Sequence, residues 1–292
     1  MNICDRLSVV VLSFRKYLAA DNSNPEVPDG NPRGRALDKM LKRCALLVGK
    51  LGCNLNLLAA LCGTDKYGDH DYTPIYQELM SRFRRMPIRL LEIGVGGYQG
   101  GLGGESLLMW AAYFPKGMLY AIDIYDKTSL SSGRIKVLQC SQTDRPRLTE
   151  IGEEYGPFDF IIDDGSHLNS DQIESFRILW PFIKDHGTYI IEDVQTSYWP
   201  AFGGGHVGSG NYAYSCMSYF KGLVDSVNWP EFIEPAGPGF PLDPTIGRIA
   251  FHHNLVVVTK DSLVRRSNVR LDDESLRKAL MNRQALDASG SG

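Results

Sequence analysis

The sequence predicts an α/β fold: a mainly parallel, seven-stranded sheet covered on both faces by helices, behind an N-terminal helical extension. Three observations predict it. From residue 88 onward, short apolar runs of strand length alternate with helix-length segments, the pattern of βαβ units. Two last apolar runs flank His253-Asn254 and read as a closing hairpin. The chain has 292 residues and is 43% hydrophobic, enough for one large α/β domain with extensions.

Taken in order, residues 5–20 read as a short amphipathic helix and 21–35, rich in Pro, Gly, Asn and Asp, as a linker. Residues 36–62 read as one helix, Gly63-Thr64-Asp65-Lys66-Tyr67-Gly68 as a loop, and 74–85 as a further helix. Strands are predicted at 88–93, 118–124, 135–138, 158–162 and 188–191, with the hairpin at 248–252 and 255–259. Helices are predicted at 105–114, 145–155, 170–184 and 212–227. The implied organisation is a helical extension over 1–62, an α/β domain over 63–262, and a tail with a short helix over 263–292.

Charge and composition exclude several roles. The net charge is −3, and the basic cluster at Arg82, Arg84 and Arg85 is short, so nucleic acid is not expected as a partner. The apolar run 7–14 is too short to span a bilayer, and no convincing cleavage site follows it; neither membrane insertion nor secretion is expected. Six cysteines, at 4, 44, 53, 62, 140 and 216, form no CxxC pair, which fits reduced thiols in a cytoplasmic protein and argues against zinc.

In a parallel sheet, ligands bind beyond the carboxyl ends of the strands, so polar residues after strands are the ones to examine. The first strand ends Glu92-Ile93-Gly94-Val95-Gly96-Gly97-Tyr98. Glycines let the backbone turn tightly and approach a ligand. Asp123 closes the second strand, where an acid can accept hydrogen bonds from a ribose diol. Together they fit a nucleoside cofactor. A dinucleotide fingerprint fits less well, because Gln99 stands at the third glycine position and a glycine-rich loop separates the turn from the helix. After the third strand, Gln142 and Asp144 either contact an adenine or form a polar loop with a helix cap at Asp144.

The strongest chemical signal is Asp163-Asp164-Gly165-Ser166-His167, followed 28 residues after Asp164 by Glu192-Asp193. Each cluster follows a predicted buried strand. If those strands are neighbours, carboxylates converge on one rim, which is costly unless a cation offsets them. A hard divalent ion such as magnesium is the natural solution, with Asp164, Glu192 and Asp193 as ligands and His167 as a general base. The alternative takes the acids as caps and turn residues, and an imidazole inside the coordination sphere would favour a softer ion. His70, His186, His206, His252 and His253 lack such company and read as structural.

Leu91-Glu92-Ile93-Gly94-Val95-Gly96 resembles the first motif of class I methyltransferases, whose fold is Rossmann-like. Asp163 to His167, Ile191-Glu192-Asp193, Thr196-Ser197-Tyr198-Trp199-Pro200, the CGTDK run at Cys62 and the YTPIY run at 72–76 together resemble the macrolide-sugar O-methyltransferases of the mycinamicin type and the actinobacterial methylmannose polysaccharide methyltransferases. The resemblance implies S-adenosyl-L-methionine and magnesium as cofactors, His167 as base, and a saccharide or glycosylated small molecule as acceptor. It also implies a homo-oligomer. The cofactor-binding set expected is Thr64, Glu92, Gly94, Gly96, Tyr98, Ser106, Asp123, Gln142, Asp144 and Asp163, with Lys66 near it. The aromatic, glycine-rich stretch 198–212 reads as a mobile lid, with Tyr198, Trp199 and Phe202 stacking on a sugar. Three other readings remain open: a metal-dependent methyltransferase of phenols or catechols, an iron-dependent hydroxylase, and a sugar-binding module without activity.

Overall fold

The computed structural model describes residues 3–22, 32–97, 101–232, 237, 242–263 and 278. Seven strands form one sheet in the order β3-β2-β1-β4-β5-β7-β6. They are β1 (Arg89–Ile93), β2 (Met118–Asp123), β3 (Ile135–Gln139), β4 (Phe158–Asp163), β5 (Ile183–Glu192), β6 (Ile246–His252) and β7 (Leu255–Lys260). The first five run parallel; β7 is antiparallel to both β5 and β6. The order reverses between β1 and β4, which opens a crevice at their carboxyl ends.

Side chains alternate across the sheet and build two cores. Leu90, Phe160, Ile162, Ile190 and Val257 face one way, toward α3 (Leu55–Cys62), α4 (Thr73–Met80) and α5 (Glu105–Tyr113). Leu91, Ile161, Tyr189, Ile191 and Val256 face the other, with α6 (Arg145–Tyr155), α7 (Asn169–Leu179) and α9 (Cys216–Gly222) over them. Register then sets the rim: Ile93 pairs with Asp163, and Asp163 with Ile191. Glu92, Asp164 and Glu192 thereby share the parity of Leu90, Ile162 and Ile190, whereas Asp163 has the parity of Ile161 and turns to the opposite core.

The N-terminal region departs from expectation. The single helix expected over 36–62 is two, α2 (Pro32–Lys50) and α3, separated by a turn at Leu51-Gly52 and restarted by Asn54, whose side chain accepts from Leu57 N. α1 (Ile3–Asn22) packs on α3, and α2 and α3 pack on α5. Leu55, Leu58 and Ala59 are fully buried in the same core as the sheet, so position 62 marks no break in packing. The helix expected over 74–85 is α4 plus a 3-10 turn, and that over 212–227 is α8 (Gly210–Ala213), α9 and a 3-10 stretch, Leu223–Glu231. Apart from Leu263 and Lys278, the expected tail lies outside the described residues. Among the described residues, no helix is long and apolar enough to cross a membrane.

Candidate active site

At the rim, a buried lysine sits among carboxylates. Lys66 is 1% exposed and donates to Asp164 Oδ2 at 2.6 Å and to both oxygens of Glu192 at 2.7 and 2.9 Å. Glu92 Oε1 lies 3.8 Å from its ammonium. Burial pulls the Lys66 pKa down, but Asp164, Glu192 and Glu92 outweigh it and hold the group well above the ordinary lysine range. Tyr76 donates a short hydrogen bond to Glu192, and Gln172 Nε2 donates to the Glu192 carbonyl at 2.8 Å. Burial, then the Asp164 charge, push the Glu192 carboxyl up against the pull of Lys66.

Beside this pair lies a second, more open group. Single ligand atoms of Asp164, His167 and Asp193 all fall within 4.8 Å of one another. His167 Nε2 is 3.5 Å from Asp193 Oδ2 and 4.0 Å from Asp164 Oδ1, while its Nδ1 is buried without a hydrogen-bond partner. Nε2 therefore faces the rim. Tyr72 donates to Asp193 Oδ1 at 2.6 Å, and His70 Nδ1 lies 3.4 Å from the same oxygen, its ring stacked on Tyr72. Burial raises the Asp193 pKa, but the Tyr72 hydrogen bond and the two imidazoles outweigh it and hold the carboxyl below its ordinary value. His167 and Asp193 both have left-handed backbone, with φ of 57° and 54°. That conformation is unfavourable for side-chain-bearing residues and clusters where function fixes geometry.

The glycine turn abuts this rim. Gly94 has φ +82°, and a Cβ there would stand 2.2 Å from the Asp164 carbonyl oxygen, so only glycine fits. Its N–H donates to Ile122 O at 2.8 Å, and Asp164 N–H donates to Ile93 O at 2.9 Å. Asp123 accepts from Val95 N at 3.1 Å and Tyr125 N at 2.9 Å, bracing the turn from the next strand. Glu92, fully buried, accepts from Ser106 Oγ at 2.9 Å and Trp110 Nε1 at 3.3 Å. Burial pushes its carboxyl up to about 7 despite Lys66.

No protein-family model matches the chain. Relatives are nonetheless clear. The 8-demethyl-8-(2-methoxy-alpha-L-rhamnosyl)-tetracenomycin-C 3'-O-methyltransferase of Streptomyces olivaceus is 40% identical over 230 residues, 77% of this chain and 57% of its own length. Demethylmacrocin O-methyltransferase of Streptomyces fradiae is 40% identical over 211 residues, 71% of this chain and 53% of its own. A crystal structure of MycE, a methyltransferase of the mycinamycin biosynthetic pathway in complex with Mg and SAH, superposes with a TM-score of 0.69 at 32% identity, covering 87% of this chain and 68% of that one. The chain belongs to this family of sugar O-methyltransferases. It has the class I methyltransferase fold of MycE, and it spans little more than half the length of the curated relatives it matches.

Within this family member, the expected site residues divide. Asp164, His167, Glu192 and Asp193 converge, with Lys66 between Asp164 and Glu192. Gly94, Gly96, Glu92, Ser106 and Asp123 gather at the turn, and Thr64 lies in the Lys66 loop, its hydroxyl on Asp65. Tyr98 lies outside the described residues. Asp163 is taken up on the other face by Ser175, by Tyr189 at 3.2 Å and by Gln142 at 3.3 Å, and it also accepts from the backbone of Gly165, which abuts Gly94. Gln142 Oε1 in turn accepts from Ser166 N at 2.6 Å. Asp144 caps α6, accepting from Arg147 N at 3.1 Å.

The aromatic stretch is tied down rather than loose. Asn169 donates to Thr196 O at 3.1 Å and Phe202 O at 2.8 Å, and accepts from Ser197 Oγ and Cys216 N. Tyr198 stacks on Tyr212 and Trp199 against Phe202, with Tyr198 and Trp199 41% and 47% exposed. Reading the sequence alone passed over His70 as structural and gave no role to Tyr72, Tyr76 or Gln172. The spacing of Tyr72 and Tyr76, one helical turn apart after the GTDK loop, was the available signal.

The donor set suits a hard divalent cation. Asp164 and Glu192 share one resident ammonium, which already occupies a cation's place between them, and Asp193 stands beside Asp164 and His167.

Proposed function

We propose that this chain is an S-adenosyl-L-methionine-dependent O-methyltransferase that uses a divalent cation, magnesium foremost, to methylate a hydroxyl on the sugar of a glycosylated small molecule. One observation carries the proposal: the Gly94 turn and the carboxylate rim are in van der Waals contact through the Asp164 backbone, so a nucleoside at the turn ends beside the acids. Asp164, Glu192 and Asp193 are the residues to hold the cation, and Glu92, Gly94, Gly96 and Asp123 those to hold the cofactor. When bound, the cofactor would supply an electrophilic methyl group and the cation would lower the pKa of a hydroxyl beside it. His167 is placed to take an acceptor proton at Nε2, the nitrogen facing the rim. Tyr72 and His70 fix the Asp193 carboxylate, and Gln172 fixes the Glu192 backbone. Tyr198, Trp199 and Phe202 offer flat apolar faces for the sugar.

The sugar-acting relatives support the acceptor class. Mannosides, rhamnosylated polyketides and macrolide glycosides, with a catechol as control, test it by radiolabelled methyl transfer. Turnover of the catechol alone would reject a sugar. The distances of His167 also favour a second reading, in which it is a ligand of a softer ion. Calorimetry of His167→Ala with Mg2+ and with S-adenosylhomocysteine separates the two. A base predicts both bindings intact and turnover lost; a ligand predicts that the metal isotherm disappears.

The six free cysteines support a reducing, cytoplasmic setting. Exposed Ile3, Val10, Leu47 and Leu51 on and after α1 and α2 support a homo-oligomer, which sedimentation would test. We assign the transferase fold to 63–262, with 1–62 as a helical extension packed into the same core and 263–292 as a tail.

A further inference from the structure

Lys66 is the only ammonium among the described residues that contacts both Asp164 and Glu192, and it does so from inside the core. Its partners use the lone pairs that a divalent cation would need: Asp164 Oδ2 and both oxygens of Glu192. Two cations cannot share those oxygens at close range in a buried site without strong repulsion. A third carboxylate is within reach. Glu92 Oε1 stands 3.8 Å from Nζ, beyond hydrogen-bond distance, and its other contacts are donors, Ser106 Oγ and Trp110 Nε1. A lysine stem has four rotatable bonds, so a small torsional change exchanges one carboxylate for another.

Resting on the metal-binding function proposed above, we propose that Lys66 is a positioning residue with two stations. Without a divalent cation it holds Asp164 and Glu192 together; when the cation arrives, its ammonium transfers to Glu92. Metal binding at the rim thereby reaches the acid at the cofactor's glycine turn. No bond is made or broken, and the only change is of ion-pair partner.

Trp110 is a built-in reporter, because its indole N–H donates to Glu92 Oε1, the oxygen nearest Lys66. A second route to the indole exists through Tyr76, which touches both Glu192 and the edge of Trp110 at a ring separation of 5.2 Å. The experiment titrates Mg2+ into the full chain, following heat by calorimetry and emission by tryptophan fluorescence. Wild type, Trp110→Phe, Glu92→Gln and Lys66→Met are compared. The expected result is an emission change that saturates with the heat in the wild type and is lost in all three variants. Glu92→Gln should also bind Mg2+ about tenfold more weakly, equivalent to about 1.4 kcal/mol, because the ammonium then has no second station. In the Lys66→Met background, Glu92→Gln should change metal affinity far less.

Heat without any emission change in the wild type overturns the two-station mechanism while leaving the metal site standing. An emission change that persists in Glu92→Gln overturns it too, assigning the signal to Tyr76. Absence of heat in the wild type rejects the metal-dependent function itself, and this mechanism with it. Should Lys66→Met not fold, Trp110→Phe and Glu92→Gln suffice to decide.

Discussion

At the scale of single residues, Asp164 is the side chain whose loss should be felt most widely. It accepts from Lys66, faces His167 and follows directly on β4. Outer partners of metal ligands are worth about 10–100-fold. Asp164→Asn should therefore weaken Mg2+ binding by at least about a hundredfold and reduce methyl transfer with it, while circular dichroism stays unchanged; unaltered metal affinity would remove Asp164 from the ligand set. Cys62 gives a prediction of another kind. Burial pushes its thiol from about 9 up to about 12. A folded-state pKa above the unfolded one means that the thiol's contribution to stability is complete below about pH 9 and fades as pH climbs toward 12. Iodoacetamide at pH 8 should leave Cys62 unmodified in the folded chain, and Cys62→Ala should flatten the alkaline limb of a melting-temperature profile. The acids and His167 were legible in the sequence because each follows a strand end, and neighbouring parallel strands bring their ends together regardless of side-chain detail. Lys66 was legible only through the resemblance, which put it near the cofactor; its grip on Asp164 and Glu192 was not, because it lies in a loop before the first strand and no local periodicity reveals that its stem threads a core.

Among elements, the clearest agreement is in the sheet and the clearest misreading is in the helices at either end of it. Strands β1 to β4 sit within a residue or so of where apolar runs placed them, and α6 runs over the residues expected. The continuous helix over 36–62 failed because Gly52 and Asn54, punctuation for a stop and a restart, lie inside an otherwise apolar stretch. Asp163, expected among the cofactor residues, turns to the opposite core from Asp164, because adjacent residues of a strand point to opposite faces, a parity that a list of acids does not convey. The two readings of Asp144 can be separated at this scale. As the α6 cap, its replacement by alanine should cost about 1 kcal/mol of stability with S-adenosylhomocysteine affinity unchanged. A fall in affinity larger than the stability loss would restore a contact with the adenine.

For the molecule as a whole, the N-terminal helices belong to the same packing unit as the sheet. Leu58 is fully buried against a core that also contains Phe160, Ile190 and Val257. Leu58→Ala should cost about 2–5 kcal/mol and lower the melting temperature of the entire chain in one transition. Two separate transitions, with only the first shifted, would show that α1–α3 fold apart from the sheet. Composition could not have revealed this union, because an apolar helix reads the same whether it packs on a sheet or on a partner chain.

The amide of Asn169 gathers four partners from two separate segments. It grips the aromatic stretch at Thr196, Ser197 and Phe202 and the start of α9 at Cys216, all from the first turn of α7. Everything between those anchor points behaves as a cassette with fixed sockets. Tyr198 and Trp199 can therefore be exchanged without disturbing the acids, because three of the sockets are backbone atoms, Thr196 O, Phe202 O and Cys216 N, and the fourth, Ser197 Oγ, belongs to neither exchanged residue.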